Sequence, residues 1–151
     1  MSGQARYDLP DLEAMERLGA AIAKRLRAWD VLALEGGLGA GKTTLSRAII
    51  AALGYANEVP SPTFTIIETY DAPPLRLPVV HADFYRLEDP SEAAELGLDD
   101  YREDAVLIAE WPDHAGGFAQ EPACLSILLE TAGSGRIAIA RAGADWLGRM
   151  P

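Results

Sequence analysis

The chain has 151 residues, a length that suits one domain able to bury roughly 68–70% of the surface its unfolded chain would expose. It is 49% hydrophobic, but no apolar run approaches the roughly 20 residues of a membrane span, and the start, Met1-Ser2-Gly3-Gln4-Ala5-Arg6, lacks the apolar core of a signal peptide. A net charge of −10 argues against a broad basic groove for nucleic acid, because phosphate neutralisation supplies most such affinity, and the single cysteine, Cys124, excludes an internal disulfide and predicts a cytoplasmic setting.

In chain order, residues 4–9 predict a short strand. Asp11 is a candidate N-cap for a helix running to about residue 28, since Leu12, Met15, Leu18, Ile22, Leu26 and Trp29 recur at three- and four-residue spacing. Lys24, Arg25 and Arg27 then sit in its last turns, where cations suit the helix dipole. Residues 31–34 are an apolar run of strand length, and residues 44–53 read as a helix closed by Gly54. Residues 57–62 form a connector with two prolines. Residues 63–70 and 77–82 are strands on either side of a proline-rich turn, hence a hairpin. Asp89-Pro90 predicts a helix start, and that short helix closes at Gly97. Residues 105–109 are a nearly pure apolar strand, which suits the buried centre of a parallel sheet. Residues 111–122 read as irregular, residues 124–130 and 136–140 as a hairpin, and residues 143–150 as a terminal helix or a frayed tail. Helices alternating with strands predict an α/β fold, a P-loop NTPase-like three-layer sandwich on a mixed, largely parallel sheet, in one domain spanning the chain.

The stretch from Gly36 to Thr44 carries the chemistry. Gly36, Gly37, Leu38, Gly39, Ala40, Gly41, Lys42 and Thr43 fit G-x-x-x-x-G-K-[ST], between a predicted strand and a predicted helix. Glycines let backbone N–H groups approach phosphate oxygens with no Cβ in the way, and the following helix adds its positive end. In that reading Lys42 reaches the β- and γ-phosphates and the Thr43 hydroxyl ligates Mg²⁺. The bland alternative is a glycine-rich turn that binds nothing.

A P-loop also needs a carboxylate at the end of a neighbouring apolar strand, to hold the metal or to position the attacking water. Glu110, after the 105–109 strand, and Asp83, after the 77–82 strand, both qualify, and spacing alone leaves their roles open. Ser61-Pro62-Thr63 lies where a switch-type threonine could reach the γ-phosphate. His81 reads as a hydrogen-bonding residue of the fold, and Tyr85 and Trp111 as packing or stacking groups near the site. No Asn-Lys-x-Asp occurs, so guanine has no standard reader. Nor does an arginine-dense lid follow the middle strand, where only Arg86 and Arg102 could clamp a transferred phosphoryl group.

Five motifs occur in order: Gly-x-Leu-Gly-Ala-Gly-Lys-Thr-Thr from Gly36, Ser-Pro-Thr-Phe from Ser61, His-x-Asp-x-Tyr-Arg-Leu from His81, the Glu95-Leu96-Gly97-Leu98-Asp99-Asp100-Tyr101 run, and Glu110-Trp111-Pro112. Together they resemble the TsaE family, also called YjeE: bacterial P-loop ATPases required for threonylcarbamoyladenosine modification of tRNA at position 37. The resemblance implies ATP with Mg²⁺, weak intrinsic hydrolysis, and docking on the TsaD–TsaB heterodimer, with tRNA held only through those partners. Carried onto this chain, it implies phosphate binding by Gly39 to Thr44, Mg²⁺ on Thr43 and Glu110, hydrolysis supported by Asp83, and a partner-facing switch at Ser61, Pro62 and Thr63. Relatives often carry Asp where this chain has Gly37. The rival readings are a small-molecule P-loop kinase and a nucleotide-binding regulatory module without hydrolysis.

Overall fold

The computed structural model describes residues 3–59 and 66–151. Seven strands form one sheet: β1 (Gln4–Leu9), β2 (Val31–Glu35), β3 (Ile67–Tyr70), β4 (Val79–Asp83), β5 (Val106–Glu110), β6 (Cys124–Ala132) and β7 (Gly135–Ala142), ordered β1-β7-β6-β2-β5-β4-β3. The central strands β6, β2, β5 and β4 run parallel, and antiparallel neighbours β7, β1 and β3 close the two edges. The predicted mixed sheet, and both predicted hairpins, are present.

Strand periodicity sorts the core into two layers. Leu32, Leu34, Val106, Ile108, Leu125 and Ile127 face helices α1 (Leu12–Arg25) and α2 (Lys42–Ala52). Val31, Ala33, Val80, Ala82, Leu107 and Ala109 face the short helices α3 (Ser91–Glu95) and α4 (Leu98–Tyr101), packed through Ala93, Leu98, Phe84 and Phe118. All five residues of β5 are buried, as its apolar run requires. Helices α1 and α2 approach closely at Gly19, where an added Cβ would stand 2.6 Å from the Ala48 Cβ.

Three expectations shift. Helix α1 is capped by Asp11, whose carboxylate accepts from the Ala14 N–H (2.9 Å), but it ends at Arg25. Downstream backbone groups are captured elsewhere: the Asp30 carboxylate accepts from the Arg27 N–H (2.7 Å), and Trp29 N–H donates to the Ala105 carbonyl (2.8 Å). Trp29 consequently lies exposed with Leu12, while Met15, Leu18, Ile22 and Leu26 keep the buried stripe. Residues 111–122 contain a 3₁₀ turn, Pro112–Ala115. The tail is neither a full helix nor frayed: a 3₁₀ turn, Ala144–Trp146, buries Trp146 completely, and its indole N–H donates to the Ala123 carbonyl (2.8 Å). Among the described residues no helix is long and apolar enough to cross a membrane.

Candidate active site

Ligands of open α/β sheets gather beyond the carboxyl ends of the parallel strands, and this chain converges its acids there. β4 and β5 end at Asp83 and Glu110, paired in register, one residue later than the apolar runs alone indicate. Alternation puts His81, Asp83 and Glu110 on the sheet face that α2 covers. The loop between β2 and α2 arches over the same end. Gly36, Gly39 and Gly41 all have positive φ, at 143°, 77° and 107°. At Gly36 a Cβ would also meet the Leu129 carbonyl at 2.5 Å, so glycine is required twice over there. Gly37 has open space around it, so the position where relatives often carry Asp is sterically free.

The loop and the acids enclose a cleft of about 440 Å³ lined by Leu38, Gly39, Gly41, Lys42, Thr43 and Thr44 from the loop and α2, by Asp83 and Glu110 from the strands, and by Ile66, Tyr85, Arg86, Trp111 and Arg136. Of the predicted phosphate residues, Gly36, Gly37 and Ala40 do not line this cleft. The carbonyls of Gly36 and Gly37 accept from Lys42 Nζ (2.7 and 2.8 Å), and Ala40 is buried. Trp111 covers Lys42, with Nζ 4.2 Å from a ring centroid. Burial holds the Lys42 ammonium below its ordinary pKa, opposed by the charges of Glu110 and Asp83.

Glu110 accepts three side-chain hydrogen bonds. Thr43 Oγ1 donates to its Oε1 (2.7 Å), Ser46 Oγ to its Oε2 (3.2 Å), and His81 Nε2 to the same Oε2 (2.5 Å). Burial pushes this carboxyl up, but the hydrogen bonds from His81, Thr43 and Ser46 outweigh it and hold the pKa below the ordinary value. The neighbouring Asp83 shifts the other way. Burial raises it and the Glu110 charge adds to that, outweighing the hydrogen bond from the Tyr85 N–H (3.0 Å) and the charges of His81 and Lys42. Two adjacent carboxylates pushed apart in this way suit two different jobs. Mg²⁺ takes one or two protein oxygens and completes its shell from phosphate and water. The Thr43 hydroxyl and Glu110 Oε1, side by side at the cleft, fit that demand.

Tyr85 and Trp111 pack together at the site, with centroids 4.9 Å apart and rings tilted by 46°, and His114 stacks on Tyr85. His114 Nδ1 also lies within hydrogen-bond reach of the Phe84 and Tyr85 carbonyls (3.1 and 2.9 Å), tying the turn after β4 to the turn after β5. Of the two candidate clamp arginines, Arg86 lines the cleft, whereas Arg102 is held by Glu121 and lies over Phe118. The residue that sequence reasoning missed is Arg136, which reaches the loop from the start of β7. No local motif marks it, because only the pairing of β7 with β1 and β6 brings it there. The predicted switch, Ser61, Pro62 and Thr63, lies outside the described residues.

Comparison with known proteins agrees with this geometry. A family model described as threonylcarbamoyl adenosine biosynthesis protein TsaE matches residues 9–138. The tRNA threonylcarbamoyladenosine biosynthesis protein TsaE of Bacillus subtilis (strain 168) is 47% identical over 102 residues, covering 67% of this chain and 60% of that protein. The Streptomyces coelicolor protein of the same name is 45% identical over 64% of this chain and 66% of its own length. The matched stretch thus spans less than two thirds of both relatives. The Haemophilus influenzae protein is 35% identical over 75% of this chain and 74% of its own. In three dimensions the crystal structure of Bacillus subtilus YdiB superposes with a TM-score of 0.81 at 31% identity, over 99% of this chain and 93% of that one. Matched in sequence across residues 9–138 and in fold across nearly its whole length, the chain belongs to the TsaE family of threonylcarbamoyl adenosine biosynthesis proteins.

Proposed function

We propose that this chain is a Mg²⁺-dependent ATPase that serves threonylcarbamoyladenosine synthesis at tRNA position 37 by acting on the TsaD–TsaB complex in the cytoplasm. The observation that carries the reading is the 2.7 Å hydrogen bond from Thr43 Oγ1 to Glu110 Oε1, in register beside Asp83, at the mouth of a glycine loop. The Thr43 hydroxyl helps to satisfy the buried Glu110 carboxylate, and because both side chains also line the cleft, the same pair is placed to share a phosphate-bound cation.

Each side chain then has a task. The loop from Gly36 to Gly41 and the first residues of α2 hold the phosphates, and Lys42 turns its ammonium from the Gly36 and Gly37 carbonyls to the terminal phosphates. Thr43 and Glu110 would hold Mg²⁺, which would supply charge neutralisation for phosphoryl transfer when bound. Asp83, with its raised pKa and an oxygen facing the cleft, orients the attacking water and takes its proton. The acidic chain does not hold tRNA itself, and hydrolysis resets the partner complex.

ATP turnover by the chain alone and with purified TsaD–TsaB from the same source tests this. Stimulation that disappears in Asp83→Ala and Glu110→Ala is the expected result. No stimulation, with all three proteins shown to associate, ends the resetting model. Phosphorylation of an added small acceptor would instead favour a kinase.

A further inference from the structure

The phosphate loop contains four glycines in six residues, from Gly36 to Gly41. Glycine loses more conformational freedom on ordering than any other residue, so such a loop holds one shape only if something outside it restrains it. Part of that restraint is internal: Ala40 N–H donates to the Gly37 carbonyl (3.2 Å), and Lys42 Nζ holds the carbonyls of Gly36 and Gly37. The tip, residues 39–41, is held from elsewhere. Arg136 Nη2 donates to the Gly39 carbonyl (3.1 Å) and its Nε to the Ala40 carbonyl (3.1 Å), while Nη1 donates to the carbonyl of Gly135 (2.8 Å).

We propose that Arg136 is a positioning residue for nucleotide binding, a clamp that fixes the tip of the loop through two consecutive carbonyls; this rests on the reading of the loop as the phosphate site. A peptide unit is planar and trans, so fixing the carbonyl of one residue fixes the N–H of the next, on the opposite edge of the same plane. Holding Gly39 and Ala40 by their carbonyls therefore sets the amides of Ala40 and Gly41. The Ala40 N–H is thereby kept on the Gly37 carbonyl, and the Gly41 N–H is the group whose orientation decides whether this part of the loop offers an anion a donor. The base of the clamp is rigid. Arg136 is paired with Leu9 on one side and Thr131 on the other. At the preceding Gly135 a Cβ would meet the Leu9 carbonyl at 2.8 Å, so the hairpin is seated directly on the end of β1. The guanidinium suits the task because its planar fork presents several donors in fixed directions, which one ammonium cannot do. The last hairpin of the chain thereby becomes part of the phosphate site without contacting phosphate.

The test is calorimetric titration of the full chain with Mg²⁺ and either ADP or ATP, comparing the unmodified protein with Arg136→Lys and Arg136→Met. Both variants are expected to weaken both nucleotides alike by about tenfold, the loss of charge-assisted hydrogen bonds. Amide hydrogen exchange should quicken at residues 37–42 and nowhere else, with an unchanged melting temperature. Wild-type affinity in Arg136→Lys would show that nearby charge, and not the fork, is what matters, and would overturn the clamp. Wild-type affinity in Arg136→Met would remove any role. A loss confined to ATP would place the guanidinium on the terminal phosphate instead. If the unmodified chain binds neither nucleotide, the phosphate-site reading falls first, and the clamp falls with it.

Discussion

The two ends of the parallel strands bury charge in opposite ways. At the foot, Asp30 is 2% exposed and fully matched: it accepts from Arg149 Nη1 (2.8 Å) and Nη2 (2.9 Å) and from the Arg27 N–H. Arg149 also donates to the Arg25 carbonyl (2.6 Å) and lies 4.1 Å over the Trp146 ring. At the cleft end, Glu110 is equally buried, but its surroundings are not closed. Among the described residues His81 Nδ1 is buried without a hydrogen-bond partner, Lys42 turns back onto its own loop, and Trp111 adopts a left-handed backbone (φ 56°). The foot has charges that complete one another. The cleft has buried charges beside a polar atom left unmatched among the described residues.

The sharpest way to break this contrast is at the foot. Arg149→Met leaves Asp30 buried and unpaired, and removing one partner of such a pair costs about 3–5 kcal/mol. Urea unfolding should show that loss, while ATP affinity stays within a factor of about two because the staple lies at the far end of the sheet. Asp30→Asn combined with Arg149→Met should recover part of it, since the uncompensated charge goes too. If nucleotide binding collapses along with stability, the two ends are not separable.

At the cleft the order reverses, with activity the larger effect. Glu110→Gln keeps the shape but removes the charge offered to the cation. Its turnover is expected to fall about 10²–10³-fold, as when one preorganised electrostatic group is lost. Unfolding free energy should drop by only about 1–2 kcal/mol for the weakened hydrogen bonds. Phosphate release and urea denaturation read the two numbers. His81 sharpens the point, because it shares Oε2 of Glu110 with Ser46 and so leaves Oε1 to Thr43. His81→Ala should cost about 2–3 kcal/mol by stranding part of a buried carboxylate. His81→Gln, which keeps an N–H donor, should restore most of both stability and turnover.

The difference between the two ends also explains what could be read from sequence. The glycine loop was legible because its signature is local: the same eight or nine residues leave the strand, turn and start the helix. β2 and β5 were legible because burial on both faces leaves an uninterrupted apolar run. That Asp83 and Glu110 each close a strand followed from where those runs stop. Contacts that depend on register or on chain ends were not legible. His81 meets Glu110 only because β4 and β5 are adjacent and aligned, and Arg136 reaches Gly39 only because the last hairpin lies beside β1. The tail reads as a terminal helix or a frayed end because the signals that anchor it, Asp30 and Arg149, are 119 residues apart. The early end of α1 depended on a carbonyl of Ala105, which no local window contains.

The smallest expected effect is the most pointed, because it asks whether the cleft carries a cost that the foot does not. Burial raises the Asp83 pKa above its ordinary 3.8, so the native chain holds that proton more tightly than the unfolded chain does. For a carboxyl shifted upwards, keeping it ionised at neutral pH opposes folding; the penalty is complete above the native pKa and vanishes as pH falls below the unfolded value. Asp83→Asn removes the charge and keeps an oxygen for the Tyr85 N–H. It should therefore raise the melting temperature at pH 7 while abolishing turnover. The gain should be at most about 2–4 °C, equivalent to less than about 1 kcal/mol because the group is partly solvated, and it should disappear near pH 3. Glu110→Gln must show the opposite sign, since the depressed Glu110 pKa contributes stability that is present at neutral pH and lost on acidification. Adjacent carboxylates whose neutral variants move the melting temperature in opposite directions, both at the expense of activity, would identify Asp83 as the group held ionised for reaction and Glu110 as the group the fold itself supports. Equal signs would mean that the cleft is balanced like the foot, and that its unpaired groups are incidental.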